Sequence, residues 1–404
     1  MNSKAFGRGL AALRKKRGYT QAELAEKLNF SDKTISKWEN GLGYPDITVL
    51  PVLAKLLNVS ADELLKEKNG GVIIAGNLIT DIVNTIEEYP KKGMLTDIIS
   101  SERAVGGCAA NTSIDLAAID TSLTVKSLGK VGNDEYGRFL LDTMKSRGVD
   151  VSDVCISPDV KTSFCNVMSM PQGERTFFSF NGANAEFSPA DIDIDSIDCK
   201  IFHIGYILLL ASFDAPDAEY GTVLARFLSS LRERGIKTSI DVVSSTRIED
   251  YSEKVRPALR YADYVIINEL ECCTTWGLEA RHPDGSINER AVYEAMKKTL
   301  DYGCAEKVIV HAKEVGYCLS RGGQFTKVGS LDIPSELIKG SVGAGDAYCA
   351  GCLYGIYNEY SDEEMLEFAS AAAACSLFSK NSVDGMKNKK EIKKLSESFS
   401  RKEI

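Results

Sequence analysis

Gly343-Ala344-Gly345-Asp346 stands just before Ala347–Tyr357, a run of small and apolar residues with helical character. Glycines that open a helix turn several backbone amides toward one point, and the helix dipole adds positive potential there. Such an anion hole suits the charge on a phosphoryl group in transfer. An aspartate in the first turn beside it can take the proton of an attacking hydroxyl. Alone the tetrapeptide is weak, because glycine before a helix is commonly a turn and aspartate a common cap. A second segment, Gly106-Gly107-Cys108-Ala109-Ala110-Asn111, leads into a helix expected over Asn111–Ile119. Its paired glycines allow close backbone approach to a ligand, and Asn111 can both donate to and accept from hydroxyls. Asp81 follows a strand-like run, where a carboxylate could clamp two neighbouring hydroxyls of a sugar. Asn268 and Glu271 follow another strand, and a carboxylate with an amide suits hydrated Mg²⁺ near phosphates. Separately these are ordinary loop residues. Together, in this order, they are specific.

The elements that must position them alternate. Val72-Ile73-Ile74-Ala75 is a short apolar run ending in Gly76, and similar runs recur at Ile201–Tyr206, Thr238–Val243, Tyr264–Ile267 and Lys307–Val310. Amphipathic segments lie among the later ones at Gly221–Arg234, Ser252–Arg260 and Arg290–Leu300. Strand, helix, strand at roughly 30-residue spacing predicts βαβ units and a parallel sheet covered on both faces. Ligands bind beyond the carboxyl ends of such strands. Residues 90–105 and 160–183 fit this alternation poorly. Phe164–Met170 and Thr176–Phe180 read as antiparallel strands around a polar Gln172-Gly173-Glu174, a small separate sheet serving as a lid. His203 sits in a buried strand pattern and reads as a core residue; His311 is given no role as a base, since Asp346 suffices.

Residues 4–68 contain helical patterns and no good strand. A first helix, roughly Lys4 to Arg17, stops at Gly18. Thr20-Gln21-Ala22-Glu23 is a capping box ahead of Ala22, Leu24, Ala25 and Leu28. A turn about Asn29-Phe30-Ser31 leads into Asp32–Asn40, with Ile35 and Trp38 facing the core. Thr48 is expected to cap a fourth helix with Pro51 in its first turn, and Ser60-Ala61-Asp62-Glu63 is a further capping box.

Charge separates the two parts. The chain of 404 residues carries a net charge of −9, yet residues 1–68 are at +4 and the remainder at −13. An acidic body repels phosphate backbones, so nucleic-acid contact is expected only at the basic head. Lys66-Glu67-Lys68-Asn69-Gly70-Gly71 reads as a hinge. Eleven scattered cysteines in so large a chain predict reduced thiols, and Cys349-x-x-Cys352 lacks a second pair at zinc spacing. No apolar run approaches the ~18–20 residues of a membrane span, and Arg14–Arg17 occupy the place of a signal peptide's apolar region. The expectation is a cytoplasmic protein without a membrane partner.

Residues 6–66 resemble the phage-repressor-like (Cro/XRE) helix-turn-helix family through Tyr19-Thr20-Gln21-Ala22-Glu23-Leu24-Ala25 and Ile35-Ser36-Lys37-Trp38-Glu39-Asn40-Gly41. The resemblance implies double-stranded DNA as a partner of residues 1–68. Asp32, Lys33, Thr34 and Lys37 would then face bases, and Gln21, Ser36 and Asn40 would meet phosphates. A homodimer reading two half-sites is expected. A helical bundle for protein contact is the alternative.

From about Val72 to Ser382 the chain resembles the ribokinase-like (PfkB) carbohydrate kinases. The motifs are Gly106-Gly107-…-Asn111, Gly129–Gly137, Gly173-Glu174-Arg175-Thr176, Asn268-x-x-Glu271 and Gly343-Ala344-Gly345-Asp346. The fold class implied is α/β, a Rossmann-like ribokinase fold with a small β-sheet lid, preceded by the all-α helix-turn-helix domain. The expected division is 1–68, a linker 69–71, a kinase domain 72–390 and a charged tail 391–404.

The resemblance also implies ATP, Mg²⁺ and, as a further candidate, a monovalent cation. Asp346 would be the base and the amides of Gly343, Ala344 and Gly345 the phosphoryl cradle. Asp81, Gly106, Gly107 and Asn111 would hold the sugar, with Arg175 reaching a sugar carboxylate or hydroxyl. Asn268 and Glu271 would organise Mg²⁺ indirectly, and Lys313, Gly316 and Ser341 would lie at the nucleotide. The chain departs from the family in two places. Gly340-Ser341 stands where Asp-Thr is usual, and His311-Ala312-Lys313 where Thr-x-Gly is common. The Lys313 side chain would obstruct ATP or pair with its phosphate. The readings left open are a sugar kinase, a sugar-sensing regulator with a weak or inactive kinase fold, and a nucleoside kinase.

Overall fold

The computed structural model describes residues 3–61, 64, 70–170, 175–245 and 247–404. The chain divides into two compact units, one of Met1–Gly71 with Asp195–Asp198 and one of Val72–Ile194 with Cys199–Ile404.

The head has helices α1 (Ser3–Lys16), α2 (Gln21–Leu28), α3 (Asp32–Glu39) and α4 (Leu50–Leu57). Thr20 and Glu23 form the expected capping box, and Asn29 ends α2 in the left-handed conformation. Ser31 then caps α3 by accepting from the Thr34 amide. Leu10, Leu24, Ile35 and Leu53 close one apolar core. Thr48 does not cap α4: its amide and hydroxyl both donate to Asp46 Oδ1, at 2.9 and 2.6 Å. The helix starts after Val49 without a side-chain cap, Pro51 lying in its first turn. Asp62 and Glu63 of the last capping box, and Lys66 to Asn69 of the hinge, lie outside the described residues.

The body is built on an eight-stranded sheet. Its strands are β1 (Gly71–Gly76), β4 (Val125–Leu128), β7 (Cys199–Ile207), β8 (Lys237–Val242), β9 (Tyr264–Asn268), β10 (Lys307–His311), β11 (Val315–Ser320) and β12 (Phe325–Gly329). They run in the order β12-β11-β10-β9-β8-β7-β1-β4. β7 to β10 pair in parallel, as do β1 and β4; β11 and β12 are antiparallel. The apolar runs become strands because burial on both faces demands continuous hydrophobicity. The register of β7 on β8 shifts between Ile240 and Val242, a bulge that re-aims Asp241.

A second sheet takes in β2 (Ile79–Ile86), β3 (Ile98–Gly106), β5 (Phe164–Ser169) and β6 (Arg175–Phe180), ordered β3-β2-β5-β6. β5 and β6 form the antiparallel pair read from the sequence; the intervening 171–174 lie outside the described residues. β2, which has no clean alternation, is held by pairing with β3 and β5.

Helices α5 (Cys108–Ile119), α10 (Ala344–Tyr357) and α11 (Asp362–Ser376) pack together in the largest core. In between, α6 (Glu135–Ser146), α7 (Val223–Glu233), α8 (Glu269–Thr275) and α9 (Glu289–Tyr302) follow their strands. The charged end of the chain is folded: α12 (Lys389–Ser398) buries Ile392, and Arg401 donates to the Gly329 carbonyl at 2.9 Å. None of the eleven cysteines forms a disulfide. No helix among the described residues is long and apolar enough to cross a membrane.

Candidate active site

Gly343 caps α10 at φ +81°, where a Cβ would stand 2.6 Å from the Ser382 carbonyl oxygen. That conformation and that approach both require glycine. No side chain caps this helix, and its Ala344 amide makes only a long bond, 3.4 Å, to the Ser341 carbonyl, so the helix start can turn its amides to a ligand. At Gly345 a Cβ would meet only His311 Cε1 at 3.6 Å, so the helix start is open on that side.

Asp346 lies in the first turn of α10 and is 4 % exposed. Its Oδ2 accepts from Asn111 Nδ2 at 2.8 Å and its Oδ1 from the Tyr206 hydroxyl at 2.6 Å. Asn111 is held in turn by the Ser382 hydroxyl, 2.9 Å from its Oδ1. Burial pushes the Asp346 carboxyl up to about 6, against the opposing hydrogen bonds from Tyr206 and Asn111.

Asp81, on lid strand β2, comes to the same place from the other side. Its carboxylate lies over Gly106, where any Cβ would collide with it. Burial, then the neighbouring charge of Asp346, push it up to about 7, while Arg175 at the start of β6 pulls it down. Gly107, at φ +84°, opens α5 against the Asn77 carbonyl. The fold thus gathers Asp81, Gly106, Gly107, Asn111, Arg175 and Asp346 from five elements. Tyr206 belongs with them and was not singled out from the sequence. The available signal was its position at the carboxyl end of a buried strand, where such sheets bind ligands.

Asn268 ends β9 and caps α8. Its Nδ2 donates to Glu271 Oε1 at 2.7 Å, and the Glu271 amide donates to Asn268 Oδ1 at 2.8 Å. Glu271 Oε2 accepts the Asn268 amide at 3.0 Å, and Ser244 donates to Oε1 at 2.8 Å. Burial raises this carboxyl to about 8. Both its oxygens are engaged, so the donor set fits an outer role: Glu271 holds the partly exposed Asn268, which can reach the water shell of a cation.

Asn268 pairs in register with His311, and His311 lies beneath Gly345. Burial lowers His311 to about 4, leaving a neutral ring tilted by 33° against that of Tyr348 at 4.9 Å between centroids. Lys313 and Ser341 are exposed on loops. Gly316 is buried in β11 directly under the Tyr348 hydroxyl, where its lack of a side chain makes room for α10.

His203 is a core residue. Its Nδ1 shares a hydrogen bond with Ser239 Oγ at 3.0 Å, and its Nε2 lies 3.5 Å from Asp241 Oδ2 and 3.7 Å from Cys349 Sγ. His203, Asp241 and Cys349 offer ligand atoms within 4.8 Å of one another.

In the head, Asp32, Lys33 and Lys37 are exposed along α3. Thr34 Oγ1 lies 2.9 Å from Ser31 Oγ, and Asn40 Nδ2 donates to the Ser36 carbonyl at 2.9 Å. Gln21 is tied inward: its Nε2 donates to Glu39 Oε2 at 2.6 Å, beside the two-bond pair of Arg14 with the same carboxylate.

Residues 72–389 match the model of the pfkB family carbohydrate kinases, and residues 10–64 match that of Helix-turn-helix. The chain belongs to the pfkB family of carbohydrate kinases and carries a helix-turn-helix head. It is 25 % identical to a 5-dehydro-2-deoxygluconokinase of Geobacillus kaustophilus over 75 % of this chain and 88 % of that one. Fructokinase-1 of Oryza sativa is 24 % identical over 81 % and 98 % respectively. Among solved structures, Arabidopsis thaliana ribokinase complexed with ribose and ATP superposes with a TM-score of 0.66 at 20 % identity, over 81 % of this chain and 98 % of the other. That likeness establishes the ribokinase fold.

Proposed function

We propose that the body transfers the γ-phosphoryl group of ATP to a hydroxyl of a sugar or sugar acid, and that the head binds double-stranded DNA, linking sugar status to transcription. One observation carries the first half: a buried carboxylate, Asp346, stands at an uncapped helix start within reach of Asn111 and Asp81. Asp81 and Asn111 hold the sugar hydroxyls. Asp346 takes the proton of the attacking hydroxyl, and the amides of Gly343, Ala344 and Gly345 receive the charge of the moving phosphoryl. Mg²⁺ bound with ATP would neutralise phosphate charge, Asn268 reaching its water shell while Glu271 holds Asn268. Arg175 supplies a cation beside the sugar site, which suits the carboxylate of a sugar acid.

The test is ATP-dependent phosphorylation across hexoses, pentoses and sugar acids. No product from any of them sinks the kinase reading. A sugar-sensing regulator with little turnover is the second reading, favoured by Lys313 and Gly340-Ser341 at the family's departures. It is recognised by a sugar that stabilises the protein thermally yet is never phosphorylated.

For the head, Lys33→Ala with Lys37→Ala is expected to weaken operator binding by about 10-fold or more and to flatten its salt dependence, since two positive charges are lost from the face that meets DNA. Unchanged binding by a chain that starts at Val72 refutes the assignment. The helix-turn-helix geometry favours a homodimer across two half-sites. DNA affinity that never responds to sugar removes the regulatory link.

A further inference from the structure

We infer that Tyr206 is a positioning residue for the phosphoryl transfer: its hydroxyl fixes the plane of the Asp346 carboxylate and keeps that carboxylate ionised. The inference rests on the reading of Asp346 as the base. Tyr206 stands at the carboxyl end of β7 and Asn111 on α5, and they grip opposite oxygens of one carboxylate at 2.6 and 2.8 Å. Two donors from two elements remove its rotation. Each oxygen keeps a second lone pair, so an alcohol can still be accepted.

The surroundings explain why a phenol is needed here. The groups facing Asp346 are Asp81 on β2, Asp115 and Cys108 on α5, His203 on β7, Asp241 on β8 and Cys349 on α10. Four carboxyls in a dry pocket repel one another, and burial alone favours a protonated, useless base. Tyr206 donates to the ionised form and opposes both effects. Its own proton is held fast, because burial and the adjacent carboxylates push the phenol well above its usual range. A tyrosine serving only to fill space would have no such effect on titration.

The experiment is Tyr206→Phe in the full chain, which removes one oxygen and keeps the ring. The Asp346 carboxyl is followed by ¹³C NMR, its resonance assigned by its loss in Asp346→Asn. The expected midpoint in Tyr206→Phe lies about one to two pH units above that of the unsubstituted protein. The acid limb of kcat/KM moves by the same amount, with little change above it. A shifted titration without turnover on any sugar upholds the hold of Tyr206 on the Asp346 carboxylate and sinks the kinase reading. Turnover with an unshifted titration does the reverse. Should Tyr206→Phe not fold, ¹³Cζ-tyrosine in the unsubstituted protein replaces it. A Tyr206 signal that follows the Asp346 midpoint supports the coupling, and one that ignores it overturns it.

Discussion

The two ends of the candidate active site are held by different means. At the acceptor end, Asp346 is bound by groups 235 and 140 residues away, and Asn111 by Ser382 from 271 residues away. At the end proposed for the nucleotide, Asn268 and Glu271 hold each other three residues apart, with Ser244 as their reinforcement. Beyond them come the exposed Lys313 and Ser341. Long-range bonds fix an atom only when the whole fold is formed, which is the condition for a preorganised base. A capping box forms locally and tolerates change around it. The chain's departures from its family, at His311-Ala312-Lys313 and Gly340-Ser341, lie at this second end, and none falls in the buried acidic pocket.

The sharpest way to break that contrast is Asp346→Asn. It preserves shape and loses the proton acceptor, so kcat should fall by about 10³-fold or more while sugar affinity persists. Calorimetric binding beside a turnover assay checks it. An equal loss of both would make Asp346 a binding group, and the acceptor end would lose its special standing.

Next in size is a pair of alanines at one helix start. Gly345→Ala places a methyl where only His311 Cε1 is near, at 3.6 Å. It should leave the thermal midpoint unmoved yet crowd the phosphoryl, lowering kcat by about 10- to 100-fold. Gly343→Ala forces a positive φ and a clash with the Ser382 carbonyl, so it should cost about 1–3 kcal/mol of stability as well. Equal melting of the two variants would mean that the cradle is not anchored as described.

How much of this was legible depends on what each residue's role needs. The parallel strands declare themselves by apolar runs, and the β5–β6 hairpin by two runs about a polar break. β2 is different: Ile79–Ile86 owes its strand to partners on both sides, which no local pattern reveals. Thr48 shows the same limit, because a hydroxyl that can cap a helix can equally close a turn onto Asp46. In the site, Asp346 and Asn111 were marked by glycines beside them. Tyr206 has no such companion, and its role depends on an approach between β7 and α10 that exists only in three dimensions.

The smallest effect concerns Asp81 and pH. Its folded value of about 7 lies above the usual carboxylate range, so the native state binds more protons than the unfolded chain across the window from roughly 4 to 7. Stability from this group is therefore complete below that window and is lost as pH rises through about 7. Glu271, raised to about 8, adds a decline of the same sign at somewhat higher pH. Asp81→Asn removes the acceptor-end contribution and leaves the other. The thermal midpoint of the unsubstituted protein should fall between pH 5 and 8, and the variant should lose part of that slope and melt higher at pH 8. Substituting the carboxyl also removes a negative neighbour of Asp346, which should let the base ionise at lower pH. A variant that melts lower at every pH would show that Asp81 is held as a charge by Arg175, and that the acceptor end is balanced by ion pairing instead of by shared protons.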